Sequence, residues 1–222
     1  MRRRFPRAKG CFYDVKLGAR NEGEPSATDI WIYDVIGDDW VDPSLTAKEL
    51  CQRIAAIDTD EIVLHLNSPG GSVSDGVAIY NALAVSPASV RSVIEGWTGS
   101  IATVIALAGE RVEMFDNTMF MIHEPWGVNV GNARSMREYG DYLDRVNDLM
   151  VRIYMVRSTK PESELRAALE AETYLEATQA AEWGFVDSVL ESTVPAAALD
   201  VSILEMLGYR LPEAAGRTLG RD

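Results

Sequence analysis

Cysteine is nearly absent from this chain: two occur in 222 residues, Cys11 and Cys51, and neither sits in a CxxC or other metal-ligand spacing. That excludes a disulfide scaffold and a zinc ribbon, and it points to a reducing compartment, the cytoplasm, with no metal and no cofactor expected. Positive charge is scarce as well. With 21 Lys and Arg against 34 Asp and Glu, the formal net charge is −13, so neither nucleic acid nor an anionic membrane is expected as the main partner, because both require clustered cations. Long hydrophobic runs are missing too. The longest largely apolar stretch, 101–108, falls far below the roughly 18 residues that cross a bilayer, and no membrane association is expected. The first nine residues are basic but have no apolar segment behind them, so they do not read as a secretory signal; they read as an arm. What remains is ordinary globular composition, 47% hydrophobic and 8% aromatic. No internal repeat at a fixed period and no clear domain boundary stand out.

Along the chain, residues 29–36 favour β structure. Thr46-Ala47-Lys48-Glu49 has the spacing of a capping box and opens a helix whose apolar face is Leu50, Ile54 and Ile57. Glu61 to Leu66 reads as a buried strand ending in Asn67-Ser68-Pro69-Gly70-Gly71, and residues 74–84 as a helix stopped by Ser86-Pro87. Val90 to Ile94 is the next strand, Gly96 to Gly99 a turn, and 100–108 a helix rich in small residues. Two short strands follow, at 111–115 and 118–122. After a loop near 127–131 comes a long helix from about Ala133 to Arg157, with Tyr142, Val146, Leu149 and Ile153 as its apolar stripe. Pro161 fits the first turn of a helix to Glu170, and 172–187 closes the compact region. The tail from about Ser192 reads as partly helical at 201–207.

Histidine occurs only twice. His65 lies inside a strand and reads as a hydrogen-bonded core or interface residue. His123 follows the strand Met119-Phe120-Met121-Ile122. Ser100 follows Gly96-Trp97-Thr98-Gly99, at a strand-to-helix corner that leaves its hydroxyl exposed and resembles a nucleophile elbow in logic, although the sequence is not GxSxG. Singly, such a serine is most often a helix N-cap and such a histidine a structural residue. Their combination with a Gly-Gly turn matters because acyl transfer needs a nucleophile, a base and backbone N–H donors converging on one point.

Four separated stretches resemble the proteolytic subunit of Clp protease (ClpP) in the same order. They are residues 66–73, Ser100 after its Gly-Trp-Thr-Gly segment, Met121-Ile122-His123-Glu124-Pro125, and Ala180-Ala181-Glu182-Trp183-Gly184-Phe185-Val186-Asp187. The resemblance covers about Asp29 to Leu190. Ile30-Trp31-Ile32-Tyr33-Asp34 and Glu172-Thr173-Tyr174-Leu175 are closer to ClpP-like proteins of phages and prophages, including head maturation proteases.

The resemblance implies an α/β fold, a ClpP/crotonase-like spiral of ββα units with a protruding handle helix at about 133–157. It divides the chain into an N-terminal arm (1–28), a serine protease domain (29–191) and a C-terminal tail (192–222). It implies Ser100 as nucleophile, His123 as general base, the N–H groups of Gly71 and Ile101 as oxyanion hole, and Glu172 where the family has an aspartate; Glu170 and Glu176 are neighbouring substitutes. The expected substrate is a protein or peptide, unfolded or a phage structural protein, and the expected assembly is a homo-oligomeric ring, heptameric or stacked by analogy. The stretch before Asp29 departs from the segment with which bacterial members meet a Clp-type ATPase, which weakens the expectation of that partner. Two other readings remain: an acyl-CoA-processing crotonase relative, which has no need of the Ser100 and His123 pair, and an assembly protein whose triad has decayed at Glu172.

Overall fold

The computed structural model describes residues 12–17, 26–37 and 46–192. Cys11, most of the N-terminal arm and almost all of the C-terminal tail, including the helix expected at 201–207, lie outside the described residues.

An eight-stranded mixed sheet carries the fold. Its parallel centre is built from β2 (Ala27–Tyr33), β3 (Glu61–Ser68), β4 (Ser89–Gly99), β5 (Arg111–Phe115) and β8 (Ser188–Leu190), in that order. An antiparallel edge strand, β1 (Phe12–Leu17), pairs with β2 from Phe12↔Tyr33 to Leu17↔Thr28. It falls within the stretch read as an arm, where Asp14 and Lys16 alternate with Tyr13, Val15 and Leu17 at the period of a strand.

Parallel strands need crossovers, and three helices supply them. They are α1 (Ala47–Ala55) between β2 and β3, α2 (Val73–Ala84) between β3 and β4, and α3 (Ile101–Ala106) between β4 and β5. The expected capping box forms: Thr46 Oγ1 accepts from the Glu49 N–H, and the Thr46 N–H donates to Glu49 Oε2. Buried Ile, Leu and Val from β2, β3 and β4 meet Leu50, Ile54, Ile79, Leu83 and the wholly buried α3 in one core.

Strand β4 departs from its expected length. Gly96-Trp97-Thr98-Gly99 is extended rather than a turn, because β4 changes partner along its course. Residues 91–94 pair with β5, and 97–99 pair in parallel with β6 (Met119–Ile122). The second partner satisfies backbone groups that a glycine-rich segment would otherwise give to water. Antiparallel to β6 runs β7 (Thr173–Glu176).

The long helix is α4 (Ala133–Met155). Its buried residues are Met150, Val151 and Tyr154, not the expected stripe. Tyr142 is half exposed, and Val146, Leu149 and Ile153 are only partly buried. Among the described residues the helix is buried only in its final turns, and there its apolar face is covered. Helices α5 (Glu162–Glu170) and α6 (Ala177–Glu182) complete the body, with Pro161 at the N-cap of α5 rather than in its first turn. The fold is the expected α/β class, a parallel sheet interleaved with helices.

His65 lies mid-strand on β3. Its Nδ1 is 2.7 Å from Glu95 Oε1, its Nε2 is 3.2 Å from Asp29 Oδ1, and its ring stacks on Trp31. Burial works against a charge on this ring, but the two carboxylates outweigh it and raise its pKa. Glu95 also accepts from the Tyr33 hydroxyl.

Candidate active site

Strands β3, β4 and β6 run parallel, and their carboxyl ends come together, the place where open α/β sheets bind ligands. Strand β3 ends in the Gly70-Gly71 turn, β4 in Ser100, and β6 in His123. Ser100 is locked to β6 by its own amide, which donates to the Met121 carbonyl at 2.9 Å. Its Oγ is 2.8 Å from His123 Nε2. Both side chains are buried, each 7% exposed, so the serine hydroxyl is not exposed as expected: the imidazole of His123 lies against it.

The backbone at Ser100 is strained. Its φ is 54° and ψ −132°, a conformation that costs a non-glycine residue about 1–3 kcal/mol and clusters at functional sites. Although Ser100 occupies the N-cap position of α3, its side chain makes no capping bond; the hydroxyl is given to His123 instead. The ordinary N-cap role is thereby lost.

A buried relay pins the same corner from behind. Thr103 Oγ1 donates to the Ser100 carbonyl at 2.5 Å, which leaves it to accept from the Tyr154 hydroxyl at 2.6 Å. Thus the root of α4 reaches the Ser100 corner through two hydroxyls. Tyr154→Phe keeps the packing on Phe185 but leaves Thr103 Oγ1 without this donor. A loss of about 1 kcal/mol of stability is expected for one buried hydrogen bond, measurable by denaturant unfolding.

Glu172 is brought near His123 by the β6–β7 ladder. Ile122 pairs with Thr173 in antiparallel register, which places His123 and Glu172 at the same end of the ladder. The Glu172 backbone is left-handed, φ 53°, closing α5 with its N–H on the Leu169 carbonyl at 3.2 Å. Burial pushes the His123 pKa below its ordinary 6.5, and the Glu172 charge pulls it partly back up. Neither substitute carboxylate is brought in this way: Glu176 is the N-cap of α6, its N–H on Gln179 Oε1, and Glu170 is exposed in the last turn of α5.

The turn after β3 supplies backbone donors. Ile36 pairs with Gly71 by donating its N–H to the Gly70 carbonyl and accepting from the Ser72 N–H, both at 2.7 Å. This pairing turns the Gly71 N–H to the opposite side. Ile101 is the first residue of α3, so its N–H has no intrahelical acceptor. Gly70 packs between them: a Cβ placed on it would meet Ser100 Cβ at 2.6 Å and Ile101 N at 3.2 Å. The turn therefore lies directly against the Ser100 corner.

The arrangement suits acyl transfer. A neutral His123 Nε2 can take the Ser100 proton as Oγ attacks a carbonyl, and the Glu172 charge favours the resulting imidazolium. Because its pKa is lowered, His123 stays unprotonated to more acidic pH. The acid limb of the activity profile is therefore expected below 6.5, read from kcat/KM against pH. The Glu172 charge raises this pKa, so Glu172→Gln is expected to move the limb further down. Among the described residues, no group of three or more His, Cys, Asp or Glu is placed to hold a metal ion.

A family model described as Clp protease matches residues 30–193. The chain belongs to the Clp protease family. Among curated proteins, the ATP-dependent Clp protease proteolytic subunit 2 of Thermobifida fusca (strain YX) is 32% identical over 135 residues, which cover 60% of this chain and 66% of that protein. The chain thus spans just under two thirds of that relative's length. As in sequence, the matched stretch contains Ser100, His123 and Glu172. Among the described residues no helix is long and apolar enough to cross a membrane.

No local pattern in the sequence gives Thr103, Tyr154 or Tyr174 a part in the site. Thr103 and Tyr154 stand 51 residues apart, and only the packing of α4 on α3 joins them.

Proposed function

We propose that this protein is a cytoplasmic serine endopeptidase that hydrolyses peptide bonds of unfolded or phage structural proteins. Ser100 is the nucleophile, His123 the general base and Glu172 the acid that holds it. The Gly71 and Ile101 N–H groups receive the oxyanion, and residues 29–191 form the catalytic domain. The observation that carries this reading is the 2.8 Å approach of His123 Nε2 to Ser100 Oγ at a strained strand-to-helix corner. A thioester-processing site on a related fold would have no use for that pair.

A homo-oligomeric ring completes the proposal. Trp126, Val128 and Val130, at alternate positions of the segment after His123, are 57%, 83% and 91% exposed. Met136 and Tyr142 on α4 are also exposed. Apolar groups left open in this way favour burial by a second chain.

The test is hydrolysis of fluorogenic peptides and of an unfolded protein by the purified protein, alongside acyl-CoA thioesters and a native mass measurement. Peptide cleavage by a species larger than a monomer, without thioester turnover, is the expected result. Thioester turnover without peptide cleavage would overturn the reading.

A further inference from the structure

The Glu172 carboxylate has a neighbour of its own. The Tyr174 hydroxyl donates to Glu172 Oε1 at 2.6 Å. The two residues are adjacent but one in the chain, yet their contact depends on tertiary structure. Tyr174 pairs with Met121 in the β6–β7 ladder, and its ring sits edge-on against Trp97 with centroids 5.6 Å apart. Trp97 and Met121 are themselves buried. A ring held in this way presents its hydroxyl at a fixed point.

Glu172 has need of such a point. Glutamate is among the side chains that lose the most rotamer freedom on being fixed, and here it springs from a left-handed backbone, φ 53°. A carboxylate that is to face an imidazole must be held in plane and at the right reach. A donor of a charge-assisted hydrogen bond to one oxygen fixes the plane and reach of the carboxylate.

We propose that Tyr174 is a positioning residue for the reaction: its hydroxyl anchors Glu172 Oε1, so that this longer acid is held towards His123. The proposal rests on the reading of Glu172 as the third member of the triad. It assigns Tyr174 a role through Glu172 and none in contact with the substrate.

The experiment is a double-mutant cycle on the intact protein with Tyr174→Phe, Glu172→Ala and the two combined, read by peptide hydrolysis and by the rate of fluorophosphonate labelling. Phenylalanine keeps the ring against Trp97, and the melting temperature reports whether it does. Tyr174→Phe is expected to lower kcat and the labelling rate by roughly tenfold, the worth of one hydrogen bond to a charged group, with KM unchanged. In the Glu172→Ala background the same substitution is expected to have no further effect, because there is no carboxylate left to hold.

An unchanged rate in Tyr174→Phe, with Glu172→Ala impaired, overturns the proposal and leaves Glu172 in its role. An equal loss in both backgrounds also overturns it, since Tyr174 would then act through packing alone. Parental rates in Glu172→Ala would remove the acid from the mechanism and the proposal with it.

Discussion

Ser100→Ala is expected to lower peptide hydrolysis by roughly three orders of magnitude or more, leaving only what the backbone donors and substrate binding supply. The fold should hardly notice. Alanine at φ 54° is no more strained than serine, and the side chain gives up one hydrogen bond, to His123, worth about 1 kcal/mol. The corner itself is held by contacts that survive the change: the residue 100 amide on the Met121 carbonyl, and its carbonyl accepting from Thr103 Oγ1. Loss of rate without loss of melting temperature separates a missing nucleophile from a damaged structure. Activity near the parental value would mean that His123 activates something other than Ser100.

Gly71→Ala is expected to damage both stability and rate. A Cβ on Gly71 would overlap the Ile36 carbonyl oxygen and come within 2.9 Å of the Ile36 nitrogen. Both are backbone atoms of a residue only 1% exposed, so neither can swing aside. The φ of +145° at Gly71 is also one that side chains rarely adopt. Relief requires opening the Ile36–Gly71 bridge, and with it the turn that carries the donor. A loss of about 2 kcal/mol or more in unfolding free energy is expected. If the Gly71 N–H receives the oxyanion, kcat falls by roughly a hundredfold as well. A variant that unfolds earlier yet keeps its parental kcat when folded would remove Gly71 from the oxyanion hole.

Much of this site could be read from the chain before any coordinates. The Gly-Gly turn, Ser100 and His123 each close an apolar strand, and parallel strands bring their ends together, so three local patterns predict one location. The capping box at Thr46 and Glu49 was equally plain, because it is written within four residues. What could not be read depends on contacts distant in sequence. Gly96 to Gly99 looks like a turn by composition and is a strand because β6 pairs with it. Ser100 looks exposed because a corner usually is, and it is buried because His123 closes over it. The apolar positions of α4 were visible, but not how little of the helix the body would cover. The short strand β8 has only three residues and exists by pairing with β5, too little for a period to show.

Glu172 marks the boundary between the two kinds of information. Its place in the motif was legible, and the ladder register explains how it comes to lie at the same end of the ladder as His123. Its hold on Tyr174 was not, since a hydroxyl two residues away meets a carboxylate only when backbone and ring are both fixed.

If Ser100 is a nucleophile activated by His123, an electrophile that traps serine hydroxyls labels it covalently and does so through His123. The purified protein is treated with a fluorophosphonate probe, the modified residue is located by mass spectrometry, and the His123→Ala variant is treated in parallel. Labelling at Ser100 that falls by roughly a hundredfold or more in His123→Ala is the result the site geometry predicts. Labelling of Ser100 at the same rate without His123, or an adduct only at another residue, would contradict it.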